Sequence, residues 1–109
     1  MNWSILATLA GAGRWDYTYD AGLGWDRIGR RDEAQRLFES VVAGDEVEPA
    51  LRNRARFHAG RIACERGAHG VARAHLSALV AEVPDHGRAQ SYLATLPAAP
   101  AAADGSGDA

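Results

Sequence analysis

The feature that constrains this chain most is an internal recurrence, in which small and apolar residues return after thirty-eight positions. Each copy has the spacing of two short amphipathic helices separated by a glycine turn. The matched positions are Gly22 and Gly60, Trp25 and Ala63, Gly29 and Gly67, Ala34 and Ala72, Phe38 and Leu76, and Val41 and Leu79. Two helices this short cannot bury their apolar faces alone, so we expect the two pairs to stack.

The hydrophobic spacing predicts an all-α chain with about five helices, at 15–28, 32–43, 49–66, 70–82 and 86–96, after a short N-terminal helix. Pro84 closes the second pair because proline cannot continue a helix. Gly60 is expected where a neighbouring helix approaches closely. The residues expected to face the core are Ala34, Leu37, Phe38, Val41, Val42, Leu51, Ala55, Ala59, Ile62, Ala63, Ala72, Leu76, Leu79, Val80, Val83, Ala89, Leu93 and Leu96.

The pattern resembles the tetratricopeptide repeat (TPR), a helix–turn–helix unit that stacks into arrays. The residues that fit the family are Gly22, Trp25, Gly29, Ala34 and Phe38 in one copy, and Gly60, Gly67, Ala72, Leu76 and Pro84 in the other. Thr18 and Arg56 replace an early tryptophan, Glu46 replaces the first closing proline, and four extra residues separate the copies. The resemblance implies a right-handed α-solenoid of antiparallel helix pairs, in which Trp25 faces the partner helix.

We expect a single domain, because the chain has 109 residues. It divides into an N-terminal capping segment at 1–14, a TPR-like domain at 15–96, and a disordered tail at 97–109. The domain contains repeats at about 15–48 and 53–86 and a capping helix at 86–96, which would close the array with its apolar face. An alternative for the first segment is an interfacial anchor led by Trp3, although no basic face supports it.

Charge is unevenly distributed along the chain. Residues 1–48 carry five arginines and nine acidic residues, whereas residues 49–96 carry seven arginines and three acidic residues. This asymmetry allows self-association or a partner with complementary charge.

The net charge of −2 argues against nucleic-acid binding, and no apolar run is long enough for a membrane span. The single cysteine excludes an internal disulfide and fits a reducing compartment such as the cytoplasm. All twelve basic residues are arginine, which is typical of a GC-rich bacterial genome.

No catalytic, metal or cofactor motif stands out in the sequence. His58 and Cys64 are six residues apart on one predicted helix, which separates them by about 9 Å along its axis, beyond hydrogen-bond reach. The four histidines have no spacing typical of a zinc site. We therefore predict a non-enzymatic protein that needs neither a metal nor a cofactor.

In the TPR family, the first helix of each repeat lines a concave groove that holds a peptide segment or helix of the partner. Carried onto this chain, the resemblance implies that Tyr19 and Phe57 pack against apolar side chains of the partner. Three arginines would pair with its carboxylates. The partner-binding residues implied are Tyr19, Leu23, Arg54, Phe57, His58, Arg61 and Arg88, in a groove that also includes Asp16, Asp20, Asp26, Ser91 and Thr95.

Two functions remain open at this point. The first is a protein–protein interaction module, a scaffold or adaptor whose groove binds a segment of another protein with acidic residues. The second is a structural accessory subunit, packed permanently into a larger multiprotein or homo-oligomeric assembly. The crowding of aromatic residues between Trp3 and Trp25 favours the second, because one helix cannot bury all of them.

Overall fold

The computed structural model describes residues 13–97, and every regular element in this range is a helix. The five helices are α1 (Gly13–Arg27), α2 (Arg31–Ala43), α3 (Pro49–Glu65), α4 (His69–Glu82) and α5 (Gly87–Thr95). The prediction of an all-α chain is confirmed for this range, with each helix ending within about two residues of its expected position. No described helix is both long enough and apolar enough to cross a membrane.

The first helix begins earlier than expected. α1 starts at Gly13, two residues before the expected start at Trp15. The negative charge of Asp16 in its first turn is favourable there because the helix dipole is positive at its start. The expected helix within residues 1–12 and the expected disorder of residues 98–109 lie outside the described range.

The two copies share the same turn between their helices. Gly29 has a φ of +88° and Gly67 a φ of +78°, a backbone region that glycine adopts without steric cost. The amide that follows each glycine donates to a carbonyl five residues earlier, from Arg30 to Trp25 and from Ala68 to Ala63. The two copies, thirty-eight residues apart, therefore share backbone hydrogen bonds as well as residue types.

The closest contact between the helices of each copy recurs in the same register. A Cβ atom on Gly22 would lie 2.8 Å from Cε1 of Phe38, and one on Gly60 would lie 2.6 Å from Cγ of Leu76. Both partner side chains are completely buried. Each glycine therefore lets its helix approach a large side chain sixteen positions later, as expected for Gly60.

Consecutive helices pack against each other, and α3 also contacts α5. The first core cluster, mainly from α2 and α3, consists of Ala34, Phe38, Val41, Val47, Leu51, Ala55, Ala59 and Ile62. The second, from α3, α4 and α5, consists of Phe57, Leu76, Leu79 and Ala89. Because α3 contributes to both clusters, it is the central helix of the described fold.

Trp25 is more exposed than a side chain that faces a partner helix is expected to be. It is 37% exposed, with the guanidinium of Arg30 lying 5.7 Å from the centre of its ring. At the matched position in the second copy, Ala63 is completely buried. The difference has a physical reason, because α1 has no helix before it in the described range, whereas α3 follows α2.

Candidate partner-binding face

Aromatic rings from α1, α3 and α5 form a continuous row, which we call the aromatic row (Tyr19, His58, Phe57 and Tyr92). The ring centres of Tyr19 and His58 are 5.8 Å apart, and those of His58 and Phe57 are 5.5 Å apart. Phe57 then meets Tyr92 at 5.8 Å in an edge-to-face contact. The row therefore links the three helices that the resemblance assigned to the groove.

Tyr19 anchors the α1 end of the row. Its ring packs edge-to-face on Phe38, with the ring centres 5.6 Å apart. Burial raises the pKa of the Tyr19 hydroxyl, and the charge of Arg54 acts in the opposite direction.

His58 sits on the first core cluster. Its ring stacks on Phe38 at 4.9 Å, and Nη2 of Arg61 lies 3.1 Å from its Nδ1. Because a guanidinium can only donate, Nδ1 accepts this hydrogen bond and the ring is neutral. Burial first, and then the positive charge of Arg61, lower the pKa of His58 to about 4.

We expect the folded state to lose stability as the pH falls from about 6.5 towards 4. In this window the unfolded imidazole takes up a proton that the folded one excludes, so stability rises with pH. Urea unfolding at several pH values measures this dependence. Replacing His58 with phenylalanine, which keeps a ring on Phe38 but cannot titrate, should reduce the loss by about 1–2 kcal/mol after solvent screening is considered.

The same replacement at exposed His69 is the control for removing one histidine. An unchanged pH dependence in His58→Phe would contradict a neutral, partly buried imidazole at this position.

Arg61 of α3, next to His58 of the row, connects α3 to α1. Its Nη2 lies 2.7 Å from a carboxylate oxygen of Asp26, and its Nη1 lies 3.3 Å from one of Glu65. The Arg61 side chain is only 14% exposed, and that of Asp26 is 22% exposed. Because two carboxylates and His58 already surround this guanidinium, its expected role towards a partner's carboxylates is taken by internal groups.

Phe57 is also engaged within the protein. It is 7% exposed, stacks on His86 at 5.4 Å, and is overlain by the Arg88 guanidinium at 4.7 Å from the ring centre. It therefore holds α5 against α3 and does not present a free ring to a partner. Leu23 is half-buried and packs against the first core cluster, so it too serves the fold.

Arg54 and Arg88 remain accessible on this face. Both are exposed, and neither forms an ion pair with a carboxylate among residues 13–97. This distinguishes them from Arg61 and from the paired arginines Arg30, Arg31 and Arg66. Of the seven residues implied by the resemblance, these two have the most available charge.

Tyr92 and His86 were not singled out from the sequence, although both contact Phe57. The spacing of four between Arg88 and Tyr92 placed both on one side of a short helix, which was the available signal. His86 was expected only as the start of that helix. In the structure, its Nδ1 also accepts a hydrogen bond from the Ala89 amide at 3.1 Å, capping α5.

Two further observations concern metal ligands and the cysteine thiol. Residues 13–97 contain no cluster of three or more histidine, cysteine or acidic side chains that could hold a metal ion. Burial, followed by the charge of Glu65, raises the pKa of the Cys64 thiol, which makes it less nucleophilic at neutral pH.

Two depressions of the described surface lie beside the elements that form the row. One depression of about 470 Å³ is widely open and lies between α2 and the turn that joins α3 to α4, where it contains none of the residues of the row. A smaller one of about 230 Å³ adjoins Arg54 and His86. Neither depression is an enclosed cavity of the kind that normally holds a small molecule, so the aromatic row is the candidate site.

Comparisons with protein-family models, with curated proteins and with solved structures find no match to this chain.

Proposed function

We propose that this chain is a non-enzymatic interaction module of the TPR type, a scaffold or adaptor that binds an acidic segment of another protein along the aromatic row. The proposed architecture is a right-handed solenoid of antiparallel helix pairs closed by α5. Its support is the recurrence of the same turn, the same glycine contact and the same buried alanine thirty-eight residues apart. In such an architecture, α1, α3 and α5 share the concave side.

The observation that carries the proposal is the position of the two accessible arginines. The Arg88 guanidinium lies over the Phe57 ring, and Arg54 lines a surface depression together with His86, which stacks on Phe57. The members of the row pack on one another, and Tyr19 and His58 also pack on buried Phe38. A guanidinium held beside an aromatic surface can bind a carboxylate through two parallel hydrogen bonds, while the partly exposed rings of Tyr19, His58 and Tyr92 cover apolar atoms. An acidic peptide with interspersed apolar residues fits this chemistry.

Asp16 and Asp20 limit where such a peptide would lie. Both are exposed on α1, at the Tyr19 end of the row. Acidic residues of the peptide would be repelled there and attracted towards Arg54 and Arg88. The proposal therefore places the acidic part of the peptide across α3 and α5.

We expect the variant with Arg54→Ala and Arg88→Ala to bind such a peptide at least about tenfold more weakly, because two charge-assisted contacts are lost. The probe is a fluorescein-labelled peptide alternating glutamate and leucine, and the measurement is fluorescence anisotropy at two salt concentrations. The control variant, Arg27→Ala with Arg36→Ala, removes the same charge from exposed positions of α1 and α2.

An equal loss of affinity in the two double variants would show binding to overall charge and would overturn this site. Failure of the natural sequence to bind the peptide at low salt would overturn the proposed partner chemistry.

A second candidate function is that of a structural subunit, including self-association. The observation in its favour is the charge asymmetry of the chain, with an acidic excess before Pro49 and a basic excess after it. Sedimentation of the purified chain distinguishes the two functions, since a subunit of this kind assembles in a salt-dependent way. For either function we propose a cytoplasmic location, where a single free thiol remains reduced.

A further inference from the structure

The smaller of the two depressions, which we call the apolar depression, reaches the second core cluster. Two α4 side chains in its lining are Leu79, a member of that cluster, and Val83, which packs against it. The full lining is Ala50, Asn53, Arg54, Leu79, Val83 and His86. Most of its surface is apolar, and it contains no residue of the aromatic row. A side chain bound there would extend the second core cluster and would not depend on the rings.

The size of the apolar depression indicates what it can hold. Its volume of about 230 Å³ is below the range of about 300–1,000 Å³ that is typical of small-molecule sites. Val83 is half-buried and Ala50 is exposed, so apolar surface of both remains uncovered. A small, open and apolar depression fits one aliphatic side chain that protrudes from a larger partner.

Arg54 supplies the available charge at the apolar depression. Oδ1 of Asn53 already accepts a hydrogen bond from Arg56, and Nδ1 of His86 accepts one from the Ala89 amide. Arg54, in contrast, is exposed and forms no ion pair with a carboxylate within residues 13–97. Its guanidinium therefore favours a partner with an acidic residue beside the side chain that enters the depression.

Two acidic residues near the apolar depression limit the orientation of that partner. Glu82 directly precedes Val83, and Asp85 directly precedes His86. Both acidic residues are exposed, and neither lines the depression. Because they would repel a carboxylate at the turn between α4 and α5, the acidic residue of the partner is expected on the α3 side, at Arg54.

We propose that the apolar depression binds one leucine or isoleucine side chain of the acidic segment whose carboxylate pairs with Arg54. This inference rests on the proposed function, because the same segment supplies both groups. It adds a determinant of specificity to that function. Acidic residues alone would satisfy Arg54 and Arg88, whereas the depression favours a segment with a large aliphatic residue over one with alanine, since more apolar area is buried.

Two fluorescein-labelled peptides test the proposal by fluorescence anisotropy. One carries a single leucine between glutamates, and the other has alanine in its place. We expect the natural chain to bind the leucine peptide about five- to tenfold more tightly, because more aliphatic surface is buried. In Ala50→Phe, whose added ring would occupy the depression, this ratio should fall below about twofold. Ala74→Phe, at an exposed position of α4 outside the depression, should keep the ratio of the natural chain.

An equal leucine preference in Ala50→Phe and Ala74→Phe would overturn this inference while leaving the binding of acidic peptides intact. Failure of the natural chain to bind either peptide would overturn the proposed function itself. A larger sedimenting mass for the natural chain than for Ala50→Phe would also overturn the inference, because a second copy of the chain would then occupy the depression.

Should Ala50→Phe not fold, NMR gives the same test on the natural chain. We expect intermolecular nuclear Overhauser effects between the leucine methyl groups of the bound peptide and the methyl groups of Leu79 and Val83, which line the depression. Their absence from the bound complex would overturn the inference.

Discussion

Alanine at position 60 is expected to lower the free energy of unfolding by about 1–2 kcal/mol, although alanine is the better helix former. The new Cβ would lie 2.6 Å from Cγ of Leu76, a branch point that is completely buried and cannot move aside cheaply. Overpacking of this kind typically costs about 1–3 kcal/mol, more than the gain in helix propensity of about 1 kcal/mol. Urea unfolding of the purified variant measures the difference.

Gly70→Ala is the matched control for this substitution. Position 70 lies in the first turn of α4, and a Cβ there has no neighbour within 4 Å. We expect the control to be neutral or to gain up to about 1 kcal/mol, since only helix propensity changes. Gly22→Ala should share the sign of Gly60→Ala because of Phe38. If Gly60→Ala were as stable as Gly70→Ala, the close approach of α3 and α4 would be refuted.

Replacing Arg61 with methionine is the second change for which we expect a large effect. It keeps most of the aliphatic stem but leaves the Asp26 carboxylate, 22% exposed, without its partner at 2.7 Å. Removing one member of a largely buried ion pair is costly because the remaining charge stays desolvated, so we expect a loss of about 2–4 kcal/mol. Chemical denaturation gives this value, and the pKa of His58, measured by NMR titration, should rise in the variant.

Arg30→Met is the control for an exposed ion pair. Arg30 lies 3.0 Å from Glu33, and its side chain is 59% exposed, so its removal should cost no more than about 1 kcal/mol. Adding Asp26→Asn to Arg61→Met should recover part of the lost stability, because no charge is then left unpaired. Equal losses in Arg30→Met and Arg61→Met would contradict the view that Arg61 links α1 to α3.

The helices were predictable because their signals are local. The start of α3 follows from Pro49 at its first position, and the ends of the turns follow from Gly29 and Gly67, which adopt positive φ. The buried positions follow from apolar spacing, as the complete burial of Ala34 and Ala72 shows. The start of α1 was predicted two residues late, because helix propensity does not separate Gly13 and Arg14 from the rest of the helix.

The candidate site was only partly predictable. The family resemblance indicated seven residues, and the structure places Tyr19, His58, Phe57 and Arg88 in one continuous group of contacts. The resemblance did not indicate that the Arg88 guanidinium would lie over the Phe57 ring. Nor did it indicate that Arg61 would pair with Asp26, thirty-five residues earlier in the sequence. Binding by these residues stays a prediction, which the Arg54 and Arg88 variants test.

The amino-acid sequence by itself determines where the helices and turns lie and which residues form the core. Each of these features depends on apolar spacing and backbone preference over a short stretch of chain. The availability of a side chain depends instead on residues that are distant in sequence. Arg54 and Arg61 lie two turns apart on the same helix, yet one is exposed and the other is enclosed. The difference arises from where Asp26 of α1 lies against α3, and no periodicity within a single helix encodes that arrangement.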